Sequence, residues 1–245
     1  MSRYLIIGAT SALAQQIGRI LACSGAALYL TGRDINRLEI SVEDLRVRGA
    51  IQTATEQLDV ADTASLVGLI NRAATSLGGL DAVIFAAGLL PDQTQVNADS
   101  DLLHKTMVVN ALSAMVVLNE AAIYFEHQGQ GQLVAIGSVA GDRGRATNYA
   151  YGAAKGALEI FMSGLRQRLH KSGVQVLLVK PGFVDTPMTA DFPKGPLWAS
   201  PQRVAEDIVR AMEKGRSVIY TPWFWRWIML VIRHIPERLF VRLRF

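Results

Sequence analysis

The stretch Leu5–Leu21, LIIGATSALAQQIGRIL, decides how the fold is read. Three apolar residues, Leu5–Ile7, run into Gly8, and a short series of small residues follows. Leu13, Ile17 and Leu21 then recur at four-residue spacing, which is one face of a helix. Strand, tight turn and helix in this order open a crossover unit of a parallel sheet. A helix that starts beyond a strand end aims its first N–H groups at a place suited to phosphate. Gly8 serves the turn, but Ala12 and Ala14 stand where two more glycines are usual in such a turn. Alanine adds one methyl and favours the helix. Thr10 and Ser11 keep their hydroxyls, so the sequence describes a narrowed phosphate site and not an erased one.

Outward from this unit the same alternation continues. Strands are expected at RYLIIGA, AALYLTG, residues 51–60, LDAVIFAAG, GQLVAIGSVAG and VQVLLVKPG, with a short seventh at SVIYTP. Helices are expected at 12–24, 35–49, 63–78, 101–127, 149–171 and 201–214. Strands apolar along their whole length are covered on both faces, as in a parallel sheet. The pattern predicts an α/β fold: a single-domain Rossmann-type doubly wound parallel sheet of about seven strands, with helices on both faces. Residues 1–222 make up this domain, and 223–245 form an aromatic and basic tail, either part of the same domain or a membrane-interface segment.

Composition narrows the function. Of 245 residues 50 % are apolar and 19 % are charged, which suits a large core and excludes a disordered chain. A single cysteine rules out a disulfide framework, and four scattered histidines without a ligand-spaced motif predict no metal site. A first strand starting by Arg3 or Tyr4 leaves no room for a signal peptide, so a cytoplasmic setting is expected. The net charge of +4 resides in the tail, where Arg226, Arg233, Arg238, Arg242 and Arg244 face one acid, Glu237. Basic residues concentrated in a tail, with a balanced body, argue against nucleic acid as partner.

The chemistry is carried by SVAGDRGRATNYAYGAAK, Ser138–Lys155. Tyr151 and Lys155 lie four apart on one helix face. Ser138 falls at the end of the fifth strand, where sheets of this class bind ligands. A phenol with a pKa of about 10 is a poor acid near neutrality, and a neighbouring ammonium is expected to lower it. Taken singly, an N-cap serine, a surface lysine and a half-buried tyrosine are ordinary; their joint spacing is not. Tyr149, two residues earlier, is read as packing or substrate contact. At the second strand end, Gly32 takes the place of the acid that would bind an NAD ribose, and Arg33 follows. That favours NADP(H) and leaves NAD(H) open, with Asp34 one position too late for the NAD role.

With Gly8, LDV at 58–60, AAG at 86–88, Asn110, Ser138, Tyr151, Lys155 and PGFVDTPM at 181–188 in this order, the chain resembles the short-chain dehydrogenase/reductase family over essentially its whole length. The resemblance implies a nicotinamide-dependent oxidoreductase acting on a carbonyl or secondary alcohol. Tyr151 would be the proton donor, Ser138 the carbonyl-orienting residue, Lys155 the holder of the nicotinamide ribose, and Asn110 the holder of a relay water. Cofactor contacts implied are Gly8, Thr10, Ser11, Ala12, Leu13, Arg33, Asp59, Val60, Ala86, Ala87, Gly88, Tyr151, Lys155, Pro181, Gly182, Val184 and Thr186. Ala86, where the family often has asparagine, removes one hydrogen bond.

GLLPD, GDRGRATNYAYGAAKGAL and RHIPERLF further resemble the branch that reduces decaprenylphosphoryl 2-keto-pentose beside a flavoprotein oxidase partner. That resemblance implies a lipid-linked carbonyl substrate and a role in cell-wall or glycolipid biosynthesis. It also suits peripheral membrane contact through residues 223–245 at the inner membrane face. Arg143, Arg145 and Lys194 are expected in loops near the site mouth. A general reductase of soluble or fatty carbonyls, and a non-catalytic nucleotide sensor, are the competing readings. A homodimer or homotetramer is expected through the long helices. There the small residues Gly152, Ala153, Ala154, Gly156 and Ala157 would permit close packing.

Overall fold

The computed structural model describes residues 2–243, so Arg244 of the basic tail lies outside the described residues. The N-terminal half runs β1 (Arg3–Ile7), α1 (Ala12–Cys23), β2 (Ala27–Gly32), α2 (Ile35–Val47), β3 (Gln52–Gln57), α3 (Leu69–Leu77) and β4 (Ala82–Phe85). Then come α4 (Gln93–Ala98), α5 (Ser100–Met107), α6 (Ser113–Gln128), β5 (Gly131–Ile136), α7 (Tyr149–Arg168) and β6 (Val174–Pro181). The chain closes with β7 (Phe183–Val184), β8 (Trp198–Ala199), α8 (Pro201–Glu213), β9 (Val218–Thr221), α9 (Trp225–His234) and α10 (Glu237–Phe240).

Seven parallel strands make one sheet in the order β3-β2-β1-β4-β5-β6-β9, while β7 and β8 pair separately. The period-two alternation of β1 shows why both faces are covered. Leu5 and Ile7 pack with α3, α6 and α7, whereas Ile6 packs with α1, α2 and α8. The order reverses direction between β1 and β4, the switch point where open sheets of this class leave a crevice.

Three elements differ from the sequence expectation. The helix expected over 63–78 begins only at Leu69, because Asp62 closes a turn on Ala64 and Gly68 stands at the N-cap. The helix expected over 101–127 spans 100–128 and contains a five-residue π segment, Val108–Leu112. Its hydropathy of 1.6 would suit a membrane span, but 61 % of that window is buried, and Val117, Leu118, Ala121 and Phe125 fill the core beneath the sheet. The third strand ends at Gln57 and not at Val60.

Candidate active site

The expected cofactor residues gather at the carboxyl edge of the sheet, because each follows the end of a parallel strand. Gly8 follows β1, Arg33 follows β2, Asp59 lies beyond β3, Ala86–Gly88 follow β4, and Gly182 follows β6. Gly8 has φ +78°, and a β-carbon there would stand 2.6 Å from the Ala87 amide nitrogen. Only glycine fits that turn without strain. Ser11 caps α1 by accepting from the Ala14 N–H at 3.2 Å. Ala12 and Ala14 lie within the helix with ordinary backbone, so their methyls cost nothing conformationally. The first-turn N–H groups of Ala12 and Leu13 have no carbonyl partner within the helix.

At the end of β2, Asp34 is the N-cap of α2 and accepts from the Arg37 N–H at 3.1 Å. That capping bond takes one oxygen of the Asp34 carboxylate. Arg37 was not singled out from sequence. Its guanidinium donates to the Thr10 carbonyl at 3.1 Å, which brings a cation from α2 to the phosphate turn. Its signal was present: a basic residue in the first turn of the helix after the second strand. Asp59 accepts from the Ala61 N–H at 2.9 Å, and Val60 beside it is buried.

The second group converges between β4, β5 and α7. Ser138, just past β5, accepts from the Ala140 N–H at 3.1 Å, and its hydroxyl favours the charged form of the nearby Tyr151 phenol. It is an N-cap and a tyrosine neighbour at once. Lys155 is buried, and its ammonium donates to the Ile136 carbonyl at 2.9 Å and lies 5.7 Å from the centre of the Tyr151 ring. Asn110 sits in the π segment with its side chain engaged: Oδ1 accepts from Leu89 N–H at 3.0 Å, and Nδ2 donates to the carbonyls of Leu89 and Thr106. The Asn110 carboxamide therefore has no free N–H for a relay water. A β-carbon at Gly88 would stand 3.2 Å from Asn110 Oδ1 and 3.9 Å from Lys155 Nζ, so Gly88 keeps the two groups within reach of one cleft.

Electrostatics correct one expectation. Burial pushes the Tyr151 phenol up to about 12, and the Ser138 hydroxyl opposes this only in part. Burial also brings the Lys155 ammonium down to about 8. The ammonium turns to a carbonyl and has no carboxylate partner, so desolvation and not the cation governs the phenol.

Of the side chains expected near the mouth, Arg143 and Lys194 are committed elsewhere, whereas Arg145 Nε is buried without a hydrogen-bond partner. Arg143 donates to the Ile232 carbonyl at 2.7 Å and to that of Ile235, pairs with Glu237 at 2.7 Å, and lies 3.7 Å over the Phe240 ring. Lys194 pairs with Asp185 at 2.6 Å, and Arg145 is partly buried with its guanidinium lowered by burial. Tyr149 is half-exposed and donates to Asn97 at 2.6 Å. Gly152 and Gly156 face inward, against Ala140 and Gly141, and Ala154 is core, so these three serve the Ser138 loop and the core, while Ala153 is exposed and Ala157 half-buried. Pro181 is buried at the end of β6, Val184 pairs with Ala199, and Thr186 caps the short turn after it. Trp225 of the tail lies on Gly182 so closely that any β-carbon there would collide with the indole. No sequence spacing pointed to that contact, which joins positions more than forty residues apart.

The model of short chain dehydrogenases matches residues 3–196, and the match takes in the glycine turn, the Ser138–Lys155 segment and Pro181–Met188. The chain belongs to the short-chain dehydrogenase family. An uncharacterised oxidoreductase of Mycobacterium tuberculosis is 34 % identical over 235 residues, which cover 95 % of this chain and 93 % of that protein. Another from Streptomyces coelicolor is 31 % identical over 245 residues, covering 98 % and 94 %. A short-chain type dehydrogenase/reductase from Mycobacterium ulcerans superposes with a TM-score of 0.76 at 24 % identity, over 89 % of this chain and 87 % of that one, and shares the fold. This short-chain dehydrogenase is thus an oxidoreductase of a family that uses NAD(P).

Proposed function

We propose that this short-chain dehydrogenase is an NADP(H)-dependent reductase that turns a ketone into a secondary alcohol, and that the ketone lies on a polyprenyl-phosphate-linked sugar. The observation that carries the reductive reading is the Tyr151 phenol, held protonated by burial, with Ser138 near it and the Lys155 ammonium 5.7 Å from its ring centre. The residues at the strand ends fit a nicotinamide dinucleotide. Thr10, Ser11 and the N–H groups of Ala12 and Leu13 suit its pyrophosphate. Arg33 and Arg37 suit a 2′-phosphate, and NAD(H) would leave both cations without that anion. Asp59 and Val60 border the adenine place, Ala86–Gly88 the middle, and Pro181, Gly182, Val184 and Thr186 the nicotinamide end.

When bound, the nicotinamide supplies hydride to the carbonyl carbon. Ser138 orients the carbonyl oxygen by donating a hydrogen bond. Tyr151 transfers its phenolic proton to that oxygen as negative charge develops there. The Lys155 ammonium then stabilises the phenolate left behind. Because the Asn110 side chain is engaged with Leu89 and Thr106, a relay water would meet its backbone carbonyl in the π segment. A non-catalytic sensor has no use for a proton donor, so the Ser138–Tyr151–Lys155 cluster disfavours that reading. The lipid-linked substrate rests on the branch resemblance and on the aromatic tail beside Gly182. We place the enzyme in the cytoplasm at the inner membrane face, as a homodimer or homotetramer through the outward sides of α6 and α7. There Ile123 and Ile160 are exposed.

Titration with NADPH and NADH, followed by nicotinamide fluorescence, tests the cofactor reading. NADPH is expected to bind at least about tenfold more tightly, and binding of neither nucleotide sinks the proposal. Tyr151→Phe should keep NADPH binding and lose turnover of a lipid-linked keto sugar by about 100- to 10,000-fold. Undiminished turnover would remove Tyr151 from its role.

A further inference from the structure

The two sides of the C-terminal tail differ in kind. Trp225, Ile228, Met229 and Ile232 of α9 face the body, and Trp225 and Met229 are buried against Val139 and Tyr220. On the far side Trp227, Leu230 and Val231 are 57 %, 47 % and 66 % exposed, and Trp223 ahead of them is 69 % exposed. Leu239, Val241 and Leu243 continue the exposed apolar surface. Leu230, Val231, His234 and Ile235 line a shallow groove on it. Arg226 and Arg233, seven residues apart, flank this strip on one side of α9. Among the described residues, Arg226, Arg233, Arg238 and Arg242 have no carboxylate partner, since Glu237, the one acid of 223–245, is taken by Arg143 of the body.

We propose that the outward face of α9 and of the chain after it docks on an anionic lipid bilayer. An exposed apolar strip of this size marks a contact surface. Tryptophans at the edge and arginines beside them are the chemistry of a helix lying in a membrane interface. The described helix has ten residues, too few to span, so it lies on the surface. A second copy of the chain fits less well. A two-fold contact through this face would set arginines against arginines, with Glu237 already engaged. The inner face of the same helix holds Trp225 on Gly182 and Val139, so docking brings the site cleft, bordered by the loops after β5 and β6, to the lipid surface. The docking itself rests on the tail alone. The delivery of a membrane-borne substrate to that cleft rests on the reductase reading.

The test is co-sedimentation of the full chain with phosphatidylcholine vesicles, with and without phosphatidylglycerol, at low and physiological salt. Binding should require phosphatidylglycerol, weaken with salt, and shift tryptophan emission to the blue. Arg226→Ala with Arg233→Ala should weaken it roughly 30-fold, from about 1 kcal/mol for each basic residue near such a surface. Trp227→Glu with Val231→Glu should abolish it while leaving NADPH binding and the thermal transition as in the parent. If the glutamate pair fails to fold, the arginine pair decides. No binding to anionic vesicles, or binding unchanged in the arginine pair, overturns the proposal. Loss of a dimer in sedimentation of the outer-face variants, without loss of vesicle binding, assigns the face to a second copy and also overturns it. A parent that docks but binds neither nucleotide would end the reductase reading and leave the docking standing.

Discussion

At the scale of single residues, Lys155 shows the tension between the site and stability. Its ammonium is buried with one carbonyl bond, and its pKa falls to about 8 from an ordinary value of 10.5. A lowered pKa means that the folded state holds this proton less well than the unfolded state does. The burden on folding is therefore full below pH 8 and fades as pH rises from about 8 to about 10.5. Lys155→Met should raise stability at pH 7 by on the order of 1–3 kcal/mol, with the gain shrinking toward pH 10.5, while turnover is lost. Denaturant melts across that range check it, and a variant less stable than the parent at pH 7 refutes it. In the parent, kcat/KM for reduction should fall above about pH 8 as the free enzyme loses the ammonium, while Tyr151, near 12, stays protonated. Residue identity at the site was legible because Ser138, Tyr151 and Lys155 lie on one strand end and one helix. Their pKa values were not, because desolvation depends on what covers them.

At the scale of elements, Arg143 of the body adds a polar tie to the apolar packing that seats the tail. Arg143 takes the last carbonyls of α9, where a positive charge also meets the negative end of the helix dipole. Its side chain is 14 % exposed, so its bonds are little screened. Arg143→Ala should cost about 2 kcal/mol, the scale of a charged hydrogen bond. It should also raise amide exchange over 225–240 while leaving β1–β4 protected. Exchange unchanged in that segment would show that apolar packing of Trp225 and Met229 alone holds it. The sequence presented α9 as an aromatic, basic run but not its two faces. A helical period assigns residues to sides, and only the partner surface says which side is covered. Short elements such as α4 and the β7–β8 pair were likewise invisible. Gln93 shows why: it accepts from the Ala150 N–H at 3.0 Å and so caps α7 from a distant position in the chain.

At the scale of the whole molecule, a buried ionic network ties the Ser138 loop to the sheet. Lys180 of β6 pairs with Asp142, from the loop after β5, and with Glu159 of α7 at 2.7 Å, while Tyr220 of β9 donates to Asp142 at 3.0 Å. Burial pulls the Lys180 ammonium down, but the bonds to Asp142 and Glu159 outweigh it and raise its pKa. A raised lysine pKa contributes stability that is present below 10.5 and lost as pH climbs through the folded value. Lys180→Met strands a buried carboxylate and should cost about 3–5 kcal/mol, read as a lower melting temperature at pH 7. A melting temperature equal to the parent's would mean that Asp142 finds other partners. The sequence by itself determined the layers, the parallel sheet and the edge that carries the site, because apolar periodicity and strand-end residues are local signals read within one turn or one strand. Only the tertiary structure decided that Arg143 holds the tail and Trp225 lies on Gly182, that Gly152 and Gly156 admit the loop after β5, and that Lys180 lies buried between two carboxylates. Those facts depend on which distant surfaces exclude water from one another, and no spacing along the chain records that.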